Sequence, residues 1–251
     1  LHERAFKHSA HRRKEGNVPV NPQKPSWIVR LLTRLRDSRL LWDGMGSIYN
    51  RHIYGAVSEL YERIAREMKL SGHAYVLDVG AGRGYISLLL ASRNPRAMIA
   101  GIDYSPMQVH EAERHRRKQK IANCSFRRGN AMHIAFQDAK FDAAVSVGSI
   151  KHWPDGVRGL REIHRVLKPG GYLMISETDQ DASDDALRSF IRRFRIWFIP
   201  DALLFWGLRN VIFGQSYSEQ TLFAALRAAG FRAVESQRVP DCPYTLVKAL
   251  K

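Results

Sequence analysis

Residues 75–85 read Tyr-Val-Leu-Asp-Val-Gly-Ala-Gly-Arg-Gly-Tyr, an apolar run closed by an acid and followed by three alternate glycines. That order describes a buried strand turning sharply into a helix. Gly80, Gly82 and Gly84 lack a Cβ, so the turn can adopt unusual backbone angles and a ligand can lie directly against the main chain. Loops are rich in glycine, and the turn alone does not specify a ligand. A second apolar strand, Ala97 to Ile102, ends in Asp103, about twenty residues past the last glycine, where an acid can bind ribose hydroxyls. The two features together point to a nucleoside-like cofactor.

From Ala74 onward strands and helices alternate, with strands near 74–79, 97–102, 124–128, 141–147 and 171–176 and helices near 84–93, 106–120 and 155–167. This rhythm predicts an α/β fold, a doubly wound parallel sheet covered by helices on both faces. Lys168-Pro169-Gly170-Gly171 stops the last of these helices, because proline cannot continue it and glycine accepts the left-handed turn. A helix over 217–230 and strands over 231–238 and 244–250 complete the pattern. Between them and the fifth strand lies an insert, 178–216, dense in Phe190, Phe194, Trp197, Phe198, Phe205, Trp206 and Phe213. It reads as helices packing aromatics inward, placed where open α/β sheets bind ligands and so compatible with a substrate cap.

Residues 1–25 carry no apolar periodicity and read as a flexible basic arm. Ser26 can cap a helix on which Trp27, Ile28, Leu31, Leu32 and Leu35 alternate with Arg30, Arg34 and Arg36. Such a basic amphipathic helix serves either as a lid or as a membrane-surface element. A second helix, 54–69, places Val57, Leu60, Tyr61, Ile64 and Met68 on one face. The expected organisation is an arm (1–25), lid helices (26–70) and one domain (71–251) carrying the insert.

Four blocks in order, Asp78 to Gly84, Gly101 to Met107, Phe141 to Ser146 and Arg165 to Leu173, resemble the class I S-adenosylmethionine-dependent methyltransferases, in the small-molecule branch that includes quinone-biosynthesis C-methyltransferases. The resemblance implies a Rossmann-like seven-stranded sheet with an antiparallel C-terminal edge, S-adenosylmethionine as cofactor and a small, hydrophobic, aromatic or anionic methyl acceptor. It implies that Gly80 and Gly82 line the methionine moiety, Asp78 helps bind its amino group, Asp103 takes the ribose hydroxyls, and Tyr104 and Met107 pack on the adenine. Asn130, followed by Ala131, stands where many relatives carry Gly-Asp-Ala; its amide oxygen can still accept a bond from the adenine amino group. Ser146 opens the block 146–155 near the expected methyl position. Within it His152 is a candidate general base, or a residue that only shapes the pocket or caps the next helix, and Lys151 a candidate acceptor contact or the partner of a surface carboxylate.

Charge and composition bound the rest. A formal charge of +16, with nine Lys/Arg against one Glu between Arg4 and Arg36, suggests a nonspecific contact with nucleic acid or an anionic membrane surface through the arm. A nucleic-acid methyltransferase is therefore one alternative, and a non-catalytic cofactor-binding module another. Against the first, the Asp/Asn-Pro-Pro-aromatic element of amino-base methylation and the Pro-Cys of cytosine C5 methylation are missing after the fourth strand. Cys124 and Cys242 are read as ordinary thiols, no metal site is expected, and no segment approaches the ~20 apolar residues of a membrane span. With a polar, basic N-terminus, the expectation is a cytoplasmic protein, membrane-peripheral if the basic segments engage lipid.

Overall fold

The computed structural model describes residues 26–36, 57–193, 199–214, 216–238 and 242–251. The expected basic arm (1–25) and the insert's Phe194, Trp197 and Phe198 lie outside them. Seven strands form one sheet in the order β3-β2-β1-β4-β5-β7-β6. They are β1 Tyr75–Val79, β2 Met98–Asp103, β3 Cys124–Arg128, β4 Phe141–Val147, β5 Leu167–Thr178, β6 Arg232–Arg238 and β7 Tyr244–Leu250. The first five are parallel, β7 runs antiparallel to β5, and β6 antiparallel to β7. This is the sheet that the alternating pattern and the resemblance imply. Chain order reverses between β1 and β4, which leaves a crevice at their carboxyl ends.

The strands are apolar on both faces because both are covered. Val76, Val145 and Met174 pack on one side against α2 (57–67), α3 (Tyr85–Arg93) and α6 (Asp184–Arg193). On the other, Leu77, Val79, Ala144 and Leu173 meet α5 (Gly156–Val166) and α8 (Glu219–Ala228). Successive residues of a strand point to opposite sides, so each neighbouring pair feeds both layers. Helix starts follow local chemistry. Ser105 accepts the Gln108 N–H at 3.3 Å to open α4 (Pro106–Lys118), and Asp155 accepts the Arg158 N–H at 2.9 Å to open α5.

One boundary differs from expectation. The Lys168-Pro169-Gly170-Gly171 stretch does end α5, but it lies inside β5 rather than before it. Leu167 already pairs with Phe141, and the register then shifts so that Tyr172 faces Ala143. Gly170, at φ +75°, absorbs the bulge, and Lys168 Nζ binds the Asp142 carboxylate at 2.6 Å across it.

The insert folds into α6, α7 (Asp201–Gly207) and a π-helical turn, Leu208–Phe213. Phe190 and Phe213 turn inward and meet Tyr244, with ring centroids 6.0–6.2 Å apart. Phe205 lies under the Arg188 guanidinium at 4.7 Å, and Trp206 is exposed. The N-terminal helix α1 (Trp27–Arg36), opened by a 3.3 Å bond from the Val29 N–H to Ser26 Oγ, packs on the π-helical turn with Val29 buried.

Phe126 fills the space that two glycines leave. A Cβ on Gly84, which sits at φ +78°, would fall 2.4 Å from the Phe126 ring, and one on Gly101 would fall 2.5 Å from it. Gly101→Ala is expected to destabilise the protein by about 1–3 kcal/mol through overpacking. The loss should shrink in a Phe126→Leu background, because the two sites share one contact. Denaturant midpoints of the four proteins test this; equal losses in both backgrounds would refute the packing argument.

Candidate functional site

A cavity of about 510 Å³ opens at the carboxyl ends of β1, β2 and β4. Its floor is the glycine turn. Gly80, at φ +76°, admits only hydrogen there, since a Cβ would fall 1.9 Å from Ser149 Oγ. Ser149 in turn accepts the Trp153 indole N–H at 2.9 Å, so the loop after β4 is held against the turn. Gly82, at φ +52°, has no atom within 4 Å of its Cβ position, leaving the main chain bare beside the cavity.

Two acids stand behind that turn. Asp103 Oδ2 accepts the Gly82 N–H at 2.8 Å and Oδ1 the Ser105 N–H at 2.9 Å, which joins the end of β2 to the turn after β1. Burial raises its pKa, and these backbone donors oppose the rise. The Tyr104 N–H is a third backbone donor to this carboxylate, which offers about four acceptor positions and so keeps room for a ligand hydroxyl. Asp78 is buried; its Oδ2 receives the Ser87 hydroxyl at 2.6 Å. Burial pushes its pKa up to about 7, against the Ser87 bond and with help from the charge of Asp103.

The cavity also gathers polar atoms that no described residue satisfies. Among the described residues, Asp78 Oδ1, Arg83 Nε and Gln108 Oε1 are buried without a hydrogen-bond partner, and all three residues line the cavity. Leaving such atoms unpaired costs about 1–3 kcal/mol each, a cost that a ligand presenting an ammonium, a carboxylate and an amino group removes. An amino-acid nucleoside such as S-adenosylmethionine presents all three, so the residues fit that cofactor.

The far wall is more apolar. Val57 and Tyr61 of α2, Tyr85 of α3, Trp153, Ile212 and Tyr244 line it, and Tyr85 stands between Tyr61 and His115 at centroid distances of 6.4 and 5.7 Å. Lys151 and His152, on the 3₁₀ turn Ile150–His152, border it, with Thr178 at the end of β5. Lys151 does not reach out as a free cation. Its Nζ lies 2.5 Å from Glu177 Oε1 and 3.0 Å from the Gly148 carbonyl oxygen, and both side chains of the ion pair are buried. Glu177 Oε1 also accepts the Thr178 N–H at 2.8 Å and its hydroxyl at 3.1 Å.

Of the residues singled out in the sequence, Asp78, Gly80, Gly82, Asp103, Tyr104, Asn130, Ala131, Lys151 and His152 all line the cavity. Met107 and Ser146 are set apart from it. Met107 points outward from α4, 49% exposed, and the buried Ser146 hydroxyl is used up on the Val79 carbonyl at 2.9 Å. Asn130 lines the wall with its oxygen turned back, accepting the Met132 N–H at 2.9 Å. Tyr104 stays half open at the rim, with the Arg128 guanidinium 5.5 Å from its ring. Sequence reasoning missed Arg83, Gln108 and Glu177. Glu177 left a readable signal, since Ile175-Ser176-Glu177 ends an apolar strand in an acid as Asp78 and Asp103 do. Gln108 left none, because a polar residue one turn into a helix is ordinary.

Comparison with known proteins agrees with this geometry. The family described as methyltransferase domain matches residues 70–197. A demethylmenaquinone methyltransferase of Lactiplantibacillus plantarum is 30% identical over 188 residues, covering 68% of this chain and 76% of that protein. An O-methyltransferase of Aspergillus sclerotiorum is 30% identical over 199 residues, 75% of this chain and 70% of that protein. Among solved structures, the [4+2]-cyclase SpnF superposes with a TM-score of 0.66 at 22% identity over 84% of this chain and 94% of its own. A SAM-dependent methyltransferase from Aquifex aeolicus gives 0.59 at 20% identity over 88% and 97%; at such identities these two speak for the fold alone. With one family profile matching half of its length and a cavity whose unsatisfied atoms fit the cofactor, the chain belongs to the class I S-adenosylmethionine-dependent methyltransferases.

Proposed function

We propose that the protein methylates a small, hydrophobic, oxygen-bearing ring, a phenol or hydroquinone, held in the apolar part of the cavity. The observation that carries this reading is the part of the lining made by Val57, Tyr61, Tyr85, Trp153, Ile212 and Tyr244, large apolar and aromatic side chains that share the cavity with Lys151, His152 and Thr178. The names of two groups of relatives agree with it: demethylmenaquinone methyltransferases, and 2-methyl-6-phytyl-1,4-hydroquinone methyltransferases that are 38% identical over 96 residues. The described residues include no helix long and apolar enough to cross a membrane, and we place the enzyme in the cytoplasm, with the acceptor small enough to enter the cavity.

Bound S-adenosylmethionine supplies a methyl group already activated on a sulfonium. The chain's own task is mainly positioning, which is worth roughly 7–11 kcal/mol when both reactants are held in attack geometry. In this reading Asp78 holds the α-ammonium, Arg83 the carboxylate, Asp103 the ribose hydroxyls, and Gln108, with Asn130 and Ala131 beside it, the adenine edge. His152 accepts the acceptor's ring hydroxyl proton. Lys151, pinned by Glu177 and Gly148, offers its remaining N–H to the same oxygen and stabilises the anion that results. Tyr61 and Val57 close the wall from α2 and exclude water.

The pH dependence of cofactor binding tests the assignment of Asp78. An α-ammonium pairs with the ionised carboxyl, which in the free protein holds its proton up to about pH 7. Affinity for S-adenosylhomocysteine should therefore fall toward tenfold per unit below about pH 7 and level off above it, until the ligand's own α-ammonium loses its proton at more alkaline pH. Asp78→Asn should bind weakly without that step, and an unchanged profile in the variant would reject the role. In the ligand-free protein the sign is opposite. The unfolded carboxyl ionises near 3.8 and the folded one near 7, so this group's contribution to stability declines as pH rises between them.

His152→Gln should lower kcat about 10²-fold or more on a phenolic acceptor while sparing S-adenosylhomocysteine affinity. Wild-type turnover in that variant would leave His152 as a wall residue only. The acceptor class is tested by incubating labelled S-adenosylmethionine with lipid and RNA fractions at about 150 mM salt, near physiological ionic strength. Label is expected in the lipid-soluble fraction; label confined to RNA would move the assignment to a nucleic-acid methyltransferase.

A further inference from the structure

The N-terminal helix docks by only one edge of its apolar arc, Val29 with the half-buried Leu32. Its Val29 is buried on the π-helical turn Leu208–Phe213, whereas Trp27, Ile28 and Leu31 are 68%, 42% and 50% exposed. At 3.6 residues per turn these three fall within about 100° of one another, and Arg30 and Arg34 lie about 60° and 20° beyond Trp27 on one flank. Both arginines are exposed. The outward face of α1 is thus a stripe of large apolar side chains bordered by guanidinium groups.

A second element adds to it. Helix α7 runs directly into the turn on which α1 packs, and it exposes Leu203 and Trp206. Among the described residues ten large hydrophobic side chains are exposed, and five of them sit on these two short helices. Arg188, Arg192 and Arg193 of α6, the helix that packs on α7, are exposed as well. Isolated exposed apolar residues need no explanation, but a concentration bordered mainly by arginines marks an interaction site; the exposed acids of these helices, Asp184, Asp185 and Asp201, are confined to the first turns of α6 and α7.

We propose that α1 and α7 form a docking face for the surface of an anionic phospholipid bilayer. Trp27 and Trp206 suit the headgroup boundary, where an indole buries its ring and keeps its N–H wet, while Leu31, Ile28 and Leu203 enter the acyl region. Arg30 and Arg34 meet lipid phosphates, with the net charge of +16 drawing the protein to the surface from a distance. A ten-residue helix is about 15 Å long and lies in the interface rather than spanning it. Ile212, on the turn that carries both helices, is part of the cavity wall, so the docked face places the acceptor end of the cavity near lipid. The inference stands without the acceptor reading, since membrane binding is measured without turnover.

Sedimentation with phosphatidylcholine vesicles, with and without about 30 mol% phosphatidylglycerol, tests it at about 150 mM salt. The full chain should partition onto the anionic vesicles. Trp27→Ala/Leu31→Ala should lower that partitioning about tenfold with an unchanged thermal midpoint, since both side chains are exposed. Arg30→Gln/Arg34→Gln should weaken binding to the anionic vesicles and leave any binding to neutral ones unchanged. Three results would overturn the proposal: no vesicle binding by the wild type, equal binding by wild type and the apolar variant, or a self-association or RNA affinity that the apolar substitutions abolish while vesicle binding persists.

Discussion

The hydrogen bond from the Gly82 N–H to Asp103 Oδ2 joins the ends of two neighbouring parallel strands, and the cofactor end of the cavity depends on it. Parallel strands finish at one edge of the sheet, each with a carbonyl or amide left without a ladder partner. Here the β2 carboxylate satisfies the amide of the turn after β1, and the Ile102 carbonyl takes the Gly80 and Ala81 N–H groups at 2.9 and 3.0 Å. The turn is thereby fixed in a left-handed path that L side chains rarely adopt, at three alternate glycines. An open main chain beside a buried acid is the result, and that is what a nucleoside needs.

Buried charge follows one logic around the cavity. Glu177 lies at the end of β5 and is compensated inside the protein, by Lys151 and by Thr178. Removing one member of such a pair costs about 3–5 kcal/mol because the other charge is left buried alone. Among the described residues no cation pairs with Asp78, and burial pushes its pKa up to about 7 instead. The contrast separates two parts of the cavity: the Glu177 carboxylate is paired within the protein, whereas Asp78 Oδ1, Arg83 Nε and Gln108 Oε1 are buried without a partner among the described residues, and the proposed function assigns them to the cofactor.

The aromatic insert divides its labour along the same lines. Phe190 and Phe213 pack over the sheet with Tyr244, Ile212 reaches the cavity, and Leu203 and Trp206 stay outside with the stripe of α1. Composition predicts aromatic burial in the insert but not this partition, because the three destinations share one residue chemistry and differ only in the direction each turn imposes.

The sequence by itself determined the sheet, the glycine turn and the acids behind it. Strand and helix periods, the Ser105 and Asp155 caps and the ordered blocks are local patterns, and local patterns survive without coordinates. Tertiary structure alone decided three things. It took Lys151 out of open solvent, because Glu177 lies 26 residues further along and only the β4–β5 pairing brings them together. It turned Ser146 to the Val79 carbonyl and Met107 outward, while giving Gln108 an unpaired oxygen in the wall. And it docked α1 by Val29, so that the helix period, which is blind to which face finds a partner, left Trp27 and Leu31 facing out.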